Sequence, residues 1–215
     1  MMKERNIVIY GAGGAGRELA DNLSYDPFWK VTGFIDDDAT KIGTLVDGVQ
    51  VLGGFDWLQE YKGYLAYSVV NNPIKKESMI LRIKEKYPAI IFPLILNDKS
   101  QVSKYVTFGE GCIVAQPFNH LVPGVCIGNH VWINSYCGIG HNVQIGDYST
   151  LFSNINLGGE SRIGSHCVIG SGVTVKPGVV IGDGVTIGGG AVVVKDLPVG
   201  VTVVGNPAKV LQMKN

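Results

Sequence analysis

The chain has 215 residues, of which 18 are Lys or Arg and 18 are Asp or Glu, so its formal net charge at pH 7 is zero. This balance gives no support for a nucleic acid or an anionic membrane as the partner. The apolar run that begins at Ile7 is too short for a signal peptide or a membrane span, so we expect a cytoplasmic protein.

The first half of the chain alternates strand-like and helix-like segments. The predicted elements are a strand at 7–10, a helix at 17–22, a strand at 31–35, a short helix at 55–61, a strand at 65–70, a helix at 73–86 and a strand at 89–94. Strands that alternate with helices indicate a parallel sheet with both faces covered. We therefore predict an α/β, Rossmann-like half-unit over residues 1–97.

The turn after the first predicted strand has the spacing Gly11-x-Gly13-x-x-Gly16, and Asp36 lies twenty residues beyond Gly16. Glycines in this context allow a phosphate to approach closely, and the helix N-terminus attracts its charge. A nicotinamide oxidoreductase is one interpretation. A unit of only about 95 residues is short for a full dinucleotide fold, which favours one nucleotide diphosphate such as a nucleotide-linked sugar. A tight strand–helix turn without a ligand is the third alternative.

The second half of the chain carries an aliphatic residue at every sixth position, a spacing that neither a helix nor an ordinary strand produces. A solenoid of hexapeptides does produce it. The run comprises Ile127, Ile133, Ile139, Ile145, Leu151, Leu157, Ile163, Ile169, Val175, Ile181, Ile187 and Val193. Phe108 and Val114 keep the step but lie one residue out of register, which predicts one extra residue near 116–121. We predict a parallel β-helix over residues 98–215, with the repeats ending near Val193.

Four histidines lie in this half, at positions 120, 130, 141 and 166. If three hexapeptides form one coil, His130 and His166 are two coils apart and we interpret them as outward-facing repeat residues. His141 lies one coil before Gly159. A histidine stacked ~4.8 Å from a glycine backbone would place a general base beside an N–H donor, the pair that acyl transfer needs.

Two alternatives for the histidines remain. A lone histidine in a glycine-rich repeat can be an exposed side chain without a function. Some left-handed β-helices, however, bind zinc through three histidines. The histidine separations match no zinc ligand spacing, so we expect no metal. The four cysteines, at 112, 126, 137 and 167, contain no CxxC pair, and we expect reduced thiols packed in the solenoid.

The chain resembles the bacterial sugar acetyltransferases of the left-handed β-helix superfamily, in particular the sialic acid O-acetyltransferases and the N-acetyltransferases of nucleotide-linked 4-amino-6-deoxy sugars. The resemblance rests on Ile9-Tyr10-Gly11-Ala12-Gly13-Gly14, Phe34-Ile35-Asp36-Asp37, Asn71-Asn72, Ile133-Asn134-Ser135, Gly140-His141, Ile145-Gly146-Asp147-Tyr148 and Gly205-Asn206-Pro207-Ala208-Lys209. It implies a left-handed β-helix, a homotrimer, and acetyl-CoA lying between adjacent β-helices.

The resemblance also implies roles for individual residues. In the catalytic group, His141 is the general base with Asn142 beside it, Asn134 lies near the acceptor, and the Gly159 N–H contacts the thioester oxygen. The implied coenzyme contacts are Gly159, Thr150, Ser171 and Gly189. The implied nucleotide-sugar contacts are Gly11, Gly13, Gly14, Ala15, Asp36, Asp37 and Asn71.

Three positions depart from the pattern of these relatives. Ala15 and Thr150 stand where many relatives carry His, and Asn142 stands where the N-acetyltransferases carry an acid that raises the basicity of the histidine. The residues leave open whether the acceptor is an amine or a hydroxyl. What the resemblance implies first is an N-acetyltransferase acting on a UDP- or dTDP-linked 4-amino-6-deoxy sugar for bacterial surface glycans. Sialic acid O-acetylation, an NAD-dependent oxidoreductase and a non-catalytic solenoid are the alternatives.

Overall fold

The computed structural model describes residues 5–211. Their internal contacts divide them into two compact units, one of residues 5–70 with 75–93 and one of residues 71–74 with 94–211. In this part of the chain no helix is both long enough and apolar enough to cross a membrane.

The first half of the chain forms a Rossmann-like α/β unit, as predicted. Its elements are β1 (Arg5–Tyr10), α1 (Gly14–Ser24), β2 (Trp29–Ile35), β3 (Leu45–Val46), β4 (Val49–Gly53), a 3-10 helix (Phe55–Gln59), β5 (Tyr64–Tyr67) and α2 (Pro73–Lys86). The strand order in the sheet is β3-β4-β2-β1-β5. β1 pairs in parallel with β2 and β5, and β2 pairs in parallel with β4. Four successive residues of β1, Ile7 to Tyr10, are buried, because both faces of the central strand are covered.

Two predictions in this unit are wrong. The predicted strand at 89–94 is reduced to a single bridge between Ile91 and Tyr64. The hairpin of β3 and β4 was missed, and its pairing is antiparallel, so the sheet is mixed. Its signal was the dipeptide Asp47-Gly48, whose φ angles of 49° and 81° fit the two-residue turn that joins hairpin strands.

The second half of the chain is the predicted left-handed parallel β-helix. Its short strands are β6 (Ile95–Leu96), β7 (Gln101–Val102), β8 (Thr107–Phe108), β9 (Ile113–Val114), β10 (His120–Leu121), β11 (Cys126–Ile127), β12 (Trp132–Ile133), β13 (Gly138–Ile139), β14 (Gln144–Ile145), β15 (Thr150–Leu151), β16 (Asn156–Leu157), β17 (Arg162–Ile163), β18 (Val168–Ile169), β19 (Thr174–Val175), β20 (Val180–Ile181), β21 (Thr186–Ile187), β22 (Val192–Val193), β23 (Thr202–Val204) and β24 (Lys209–Val210). Every third strand pairs in parallel, for example Ile127 of β11 with Ile145 of β14, so each coil consists of three hexapeptides.

The register of the coils confirms the extra residue. Leu121 pairs with Ile139, a separation of three whole hexapeptides, but the separation between Val102 and its partner Leu121 is longer by a single residue. The insertion therefore lies between β9 and β10, within the predicted stretch. The six-residue step ends near Val193, as predicted, but the coiling continues beyond it, since β23 adds another parallel strand that pairs Val203 with Ile187.

The interior of the β-helix is a column of the periodic aliphatic side chains, each at most 4% exposed. Burial of such a side chain contributes about 1.5–3 kcal/mol. The neighbouring strand position is exposed in several strands, for example at Gln144, Arg162 and Thr174, but it is buried at Trp132 and Thr150. Three of the cysteines are buried as expected, whereas Cys126 of β11 is exposed.

These differences in burial predict selective thiol chemistry. Burial raises the pKa of the Cys137 and Cys167 thiols to about 11, so little thiolate forms at neutral pH. A maleimide added to the folded protein should label Cys126 alone, and mass spectrometry of peptides would locate the label. The variant Cys126→Ser should remain unlabelled until the protein is denatured. Rapid labelling of Cys137 in the folded variant would contradict this packing.

Candidate functional site

The coils of the β-helix turn at three corners, and His141 lies at the one that follows β13. We call this the His141 corner; it contains residues 140–142, 158–160 and 176–178 in successive coils. The backbone of Glu160 donates a hydrogen bond of 2.8 Å to the carbonyl oxygen of His141. A Cβ atom on Gly159 would lie 2.5 Å from Nε2 of His141 and 2.7 Å from its Cε1. The imidazole therefore lies against the Gly159 backbone, and a side chain at position 159 would displace the ring from this position.

The N–H group of Gly159 is available to an external acceptor. At another corner, the N–H groups of Asn129 and Ser165 each donate 2.7 Å bonds to the carboxylates of Asp147 and Asp183, one coil further on. The residue one coil beyond Gly159 is Pro177, which has no such acceptor. Among the hydrogen bonds of residues 5–211, none uses the Gly159 N–H. The His141 corner therefore pairs an imidazole with an unused backbone donor.

His141 is exposed, and no acidic residue precedes or follows it directly in the sequence. Its Nδ1 lies 3.5 Å from the carboxamide nitrogen of Asn142, and in the described residues no carboxylate forms an ion pair with its ring. Asn142 has a φ of 58°, in the left-handed region that asparagine tolerates better than most residues. Asn142 therefore fits the corner and lies beside the imidazole without bringing a charge to it.

Other predicted catalytic and coenzyme residues lie at a different corner. Asn134, Ser171 and Gly189 follow β12, β18 and β21, at the opposite end of the wall to which β13 belongs. We call this the Asn134 corner. The Asn134 side-chain oxygen accepts a hydrogen bond from Nε1 of Trp132. One chain therefore does not bring Asn134, Ser171 or Gly189 to His141.

The predicted coenzyme contact at Thr150 lacks accessible surface. Thr150 is 0% exposed on β15, paired between Trp132 and Val168. Its side chain can therefore offer nothing to a coenzyme on the surface of this chain.

His130 is buried rather than outward-facing as predicted, whereas His166 is half-buried. Their rings stack on either face of Tyr148, with centroid distances of 5.5 and 5.4 Å, and His130 is 0% exposed. They form an aromatic ladder that joins three coils. Within residues 5–211 no group of three or more His, Cys, Asp or Glu side chains is arranged to hold a metal ion.

The glycines of the N-terminal turn divide into structural and ligand-accessible positions. A Cβ on Gly16 would lie 1.9 Å from the carbonyl oxygen of Gly11, and Gly11 itself has a φ of 102°. By contrast, a Cβ on Gly13 or Gly14 would meet nothing within 4 Å, and both residues are exposed. Packing therefore does not require glycine at 13 and 14. Glycine there leaves the start of α1 open to an anionic group, with Ala15 half-buried in the next position.

The two predicted acids perform different tasks. Asp36 accepts bonds of 2.9 Å from the Ala12 N–H, the Asp38 N–H and the Lys41 ammonium. Partial burial opposes its ionisation, but these donors outweigh burial and hold the pKa of its carboxyl below the ordinary value. Asp36 thus fixes the glycine turn. Both oxygens of Asp37 lie 2.8 Å from the Tyr10 hydroxyl, and burial and this carboxylate raise the tyrosine pKa.

A cavity of about 330 Å³ opens beside these acids. It is lined by the ends of β1 and β2 (Gly11, Asp36 and Asp37) and by three residues that the sequence did not single out, Phe55, Lys75 and Arg82. Lys75 and Arg82 stand seven apart on α2, a spacing that places both on one helix face. Asn71 is exposed and belongs to segment 71–74.

Comparisons with known proteins agree with both halves of this arrangement. Residues 6–80 match the PglD N-terminal domain, and residues 117–151 and 160–195 match the bacterial transferase hexapeptide (six repeats). No curated protein matches the chain.

Solved structures resemble nearly the whole chain. The acetyltransferase domain of PglB from Neisseria gonorrhoeae FA1090 is 27% identical, with a TM-score of 0.82 over 97% of this chain and 100% of that one. WeeI from Acinetobacter baumannii AYE is 25% identical, with a TM-score of 0.70 over 95% and 99%. PerB from Caulobacter crescentus, solved with CoA and GDP-perosamine, is 24% identical, with a TM-score of 0.63 over 99% and 100%.

The two classes of glycine predict opposite effects on stability. Gly16→Ala should lower the free energy of unfolding by about 3 kcal/mol or more, because the new methyl group overlaps the Gly11 carbonyl. Gly14→Ala is the matched control: it should leave stability unchanged or raise it by about 0.4–1 kcal/mol. Urea denaturation of both variants would measure these changes. Equal stability of the two variants would contradict the structure of this turn.

Proposed function

We propose that the chain is a hexapeptide-repeat acetyltransferase with a PglD-type N-terminal domain, and that it transfers an acetyl group from acetyl-CoA to the amine of a nucleotide-linked 4-amino-6-deoxy sugar. The observation that carries the proposal is the contact between the His141 imidazole and Gly159, whose N–H has no internal acceptor among the described residues. Acetyl-CoA and nucleotide-linked sugars are both cytoplasmic metabolites, so we propose that the protein acts in the cytoplasm. We also propose that its product is used in surface glycan synthesis.

The chemistry requires a base and an oxyanion donor at one point. The sugar amine attacks the thioester carbonyl carbon while an unprotonated ring nitrogen of His141 takes the proton of the amine. Negative charge develops on the carbonyl oxygen, where the Gly159 N–H can donate a hydrogen bond. The tetrahedral intermediate then collapses, the C–S bond breaks, and the CoA sulfur takes the proton from His141. No acyl-enzyme is needed, since the nearest thiol along the chain, Cys137, is buried.

The separation of the two corners supports a trimer with shared sites. His141 with Gly159, and Asn134 with Ser171 and Gly189, lie at opposite ends of one wall. In a closed ring of three copies, the His141 corner of one subunit can face the Asn134 corner of the next. The acceptor and the coenzyme would then bind between subunits, with the later coils along the coenzyme.

The N-terminal unit would hold the nucleotide. The open N–H groups at Gly13, Gly14 and Ala15 suit the diphosphate, and the Asp37 carboxylate suits a ribose or base donor beside the cavity. We propose UDP or dTDP as the nucleotide and Asn71 as a further contact of the sugar. PerB was solved with a GDP-linked sugar, so GDP belongs in any test of this choice.

The proposed function predicts thiol release that depends on His141. Acetyl-CoA should release free CoA when mixed with a UDP-, dTDP- or GDP-linked 4-amino-6-deoxy sugar, and His141→Ala should reduce kcat about 100-fold or more. A thiol reagent would follow the reaction, with sialic acid in a parallel assay. Release with sialic acid alone would move the assignment to O-acetylation. Unchanged activity in His141→Ala would remove His141 from the chemistry.

The neutral neighbour of the base predicts a shift in pH dependence. In Asn142→Asp, a carboxylate beside His141 would stabilise the protonated imidazole, so the free base would form only at higher pH. The acidic limb of kcat/KM should therefore move upward by about one pH unit. Asn142→Ala is the control, and its acidic limb should stay in place. If the limb of Asn142→Asp does not move, His141 is not the group whose titration controls the rate.

Sites shared between subunits predict complementation. His141→Ala and Asn134→Ala should each be inactive, but trimers assembled from equal amounts of both should regain about one quarter of wild-type activity, because that fraction of sites combines two intact corners. Mixed trimers isolated with two different affinity tags should have about one third of wild-type activity, because one of their three sites combines two intact corners. A mixture as inactive as its parents would show that each site lies within one subunit.

A further inference from the structure

The cavity in the N-terminal unit runs across the carboxyl ends of three neighbouring strands. Gly11 follows β1, Asp36 and Asp37 follow β2, and Phe55 follows β4, in the sheet order β4-β2-β1. A diphosphate at the glycine turn would lie at the β1 end of this line. A nucleotide extended along the cavity therefore carries its base toward Phe55.

Arg82 lies at the Phe55 end of the cavity, with its guanidinium over the Phe55 ring. Its guanidinium carbon lies 3.7 Å from the centroid of the Phe55 ring, a distance that places it over the ring face. Phe55 is 7% exposed and packs on Tyr87 at a centroid distance of 5.3 Å, so the ring is a fixed support. In the described part of the chain no hydrogen bond or ion pair uses the Arg82 guanidinium, although Arg82 lines the cavity.

Lys86, on the same helix, differs from Arg82 in having an ion-pair partner and in lying outside the cavity lining. Its ammonium also lies near the Phe55 ring, at 5.2 Å, but it pairs with Asp56 at 2.9 Å and does not line the cavity. Arg82 therefore keeps its planar donor group free and oriented, which is the arrangement that stacks on a planar ring and reaches its carbonyl oxygens.

We propose that Arg82 is the nucleobase-binding residue of this cavity, with its guanidinium held on Phe55 and stacked against the base of the nucleotide-linked sugar. The inference rests on the proposed function for the presence of a nucleotide and adds the residue that binds the base. Uracil, thymine and guanine all offer a planar face and a carbonyl oxygen. Stacking on Arg82 therefore contributes affinity for each, and the carboxylate of Asp37 across the cavity contributes to the choice among them.

Calorimetry on the full chain tests the assignment. The probes are UDP, dTDP and GDP, followed by the nucleoside of whichever binds most tightly. Arg82→Ala should reduce the affinity for the diphosphate and the affinity for the nucleoside by the same factor, about tenfold. Arg82→Lys keeps the charge but loses the planar group, so its affinity for the nucleotide should fall by nearly the same factor. Lys86→Ala removes a neighbouring charge from the same helix and should bind within about twofold of wild type.

Each other outcome overturns a defined part of the account. If Arg82→Ala weakens only the diphosphate, Arg82 contacts phosphate and the base assignment is wrong. Unchanged binding in Arg82→Ala and Arg82→Lys removes Arg82 from the site. If the wild type binds none of the three diphosphates, the proposed nucleotide-linked substrate fails and the inference fails with it. Acetyl-CoA binding and the melting temperature check the fold of each variant, and Arg82→Lys carries the test if Arg82→Ala does not fold.

Discussion

The fixed register in which the coils stack is the constraint on which the site depends. Because Ile139 pairs with Leu157, the next residues of each coil meet at the same corner, and the imidazole of His141 lies against the backbone of Gly159. A slip in this register would separate them. The same register places Pro177 where one other corner has an aspartate, which leaves the Gly159 N–H without an acceptor in the described chain. The fold thus sets both the position of the His141 imidazole and the availability of the Gly159 N–H.

The N-terminal unit uses charge to fix a second site. Asp36 holds the Ala12 N–H and the Lys41 ammonium, so the glycine turn is ordered before any ligand arrives. Gly13 and Gly14 remain open, and Asp37, Phe55 and Arg82 border the adjacent cavity. A rigid turn and a supported guanidinium reduce the entropy that binding would otherwise cost. The proposed nucleotide recognition and the proposed chemistry therefore use residues of two different compact units of the chain.

Much of the fold could be predicted, because it follows from periodicity. The six-residue spacing specified the β-helix and even its extra residue, and strand–helix alternation specified the Rossmann-like unit. The β3–β4 hairpin was missed because β3 has only two residues. The strand at 89–94 was overpredicted because apolar content alone does not provide a pairing partner. The approach of His141 to Gly159 followed from a coil of three hexapeptides. Arg82 could not be found, because only packing on Phe55 distinguishes it from other helix surface cations.

The most direct test of the central claim is a double-mutant cycle on His141 and Gly159, with single-turnover release of CoA thiol as the measurement. A methyl group on Gly159 would overlap the imidazole, so Gly159→Ala should lose about as much activity as His141→Ala, and the double variant should lose no more than either. Retention of wild-type thiol release by Gly159→Ala, with acetyl-CoA binding intact, would contradict the account.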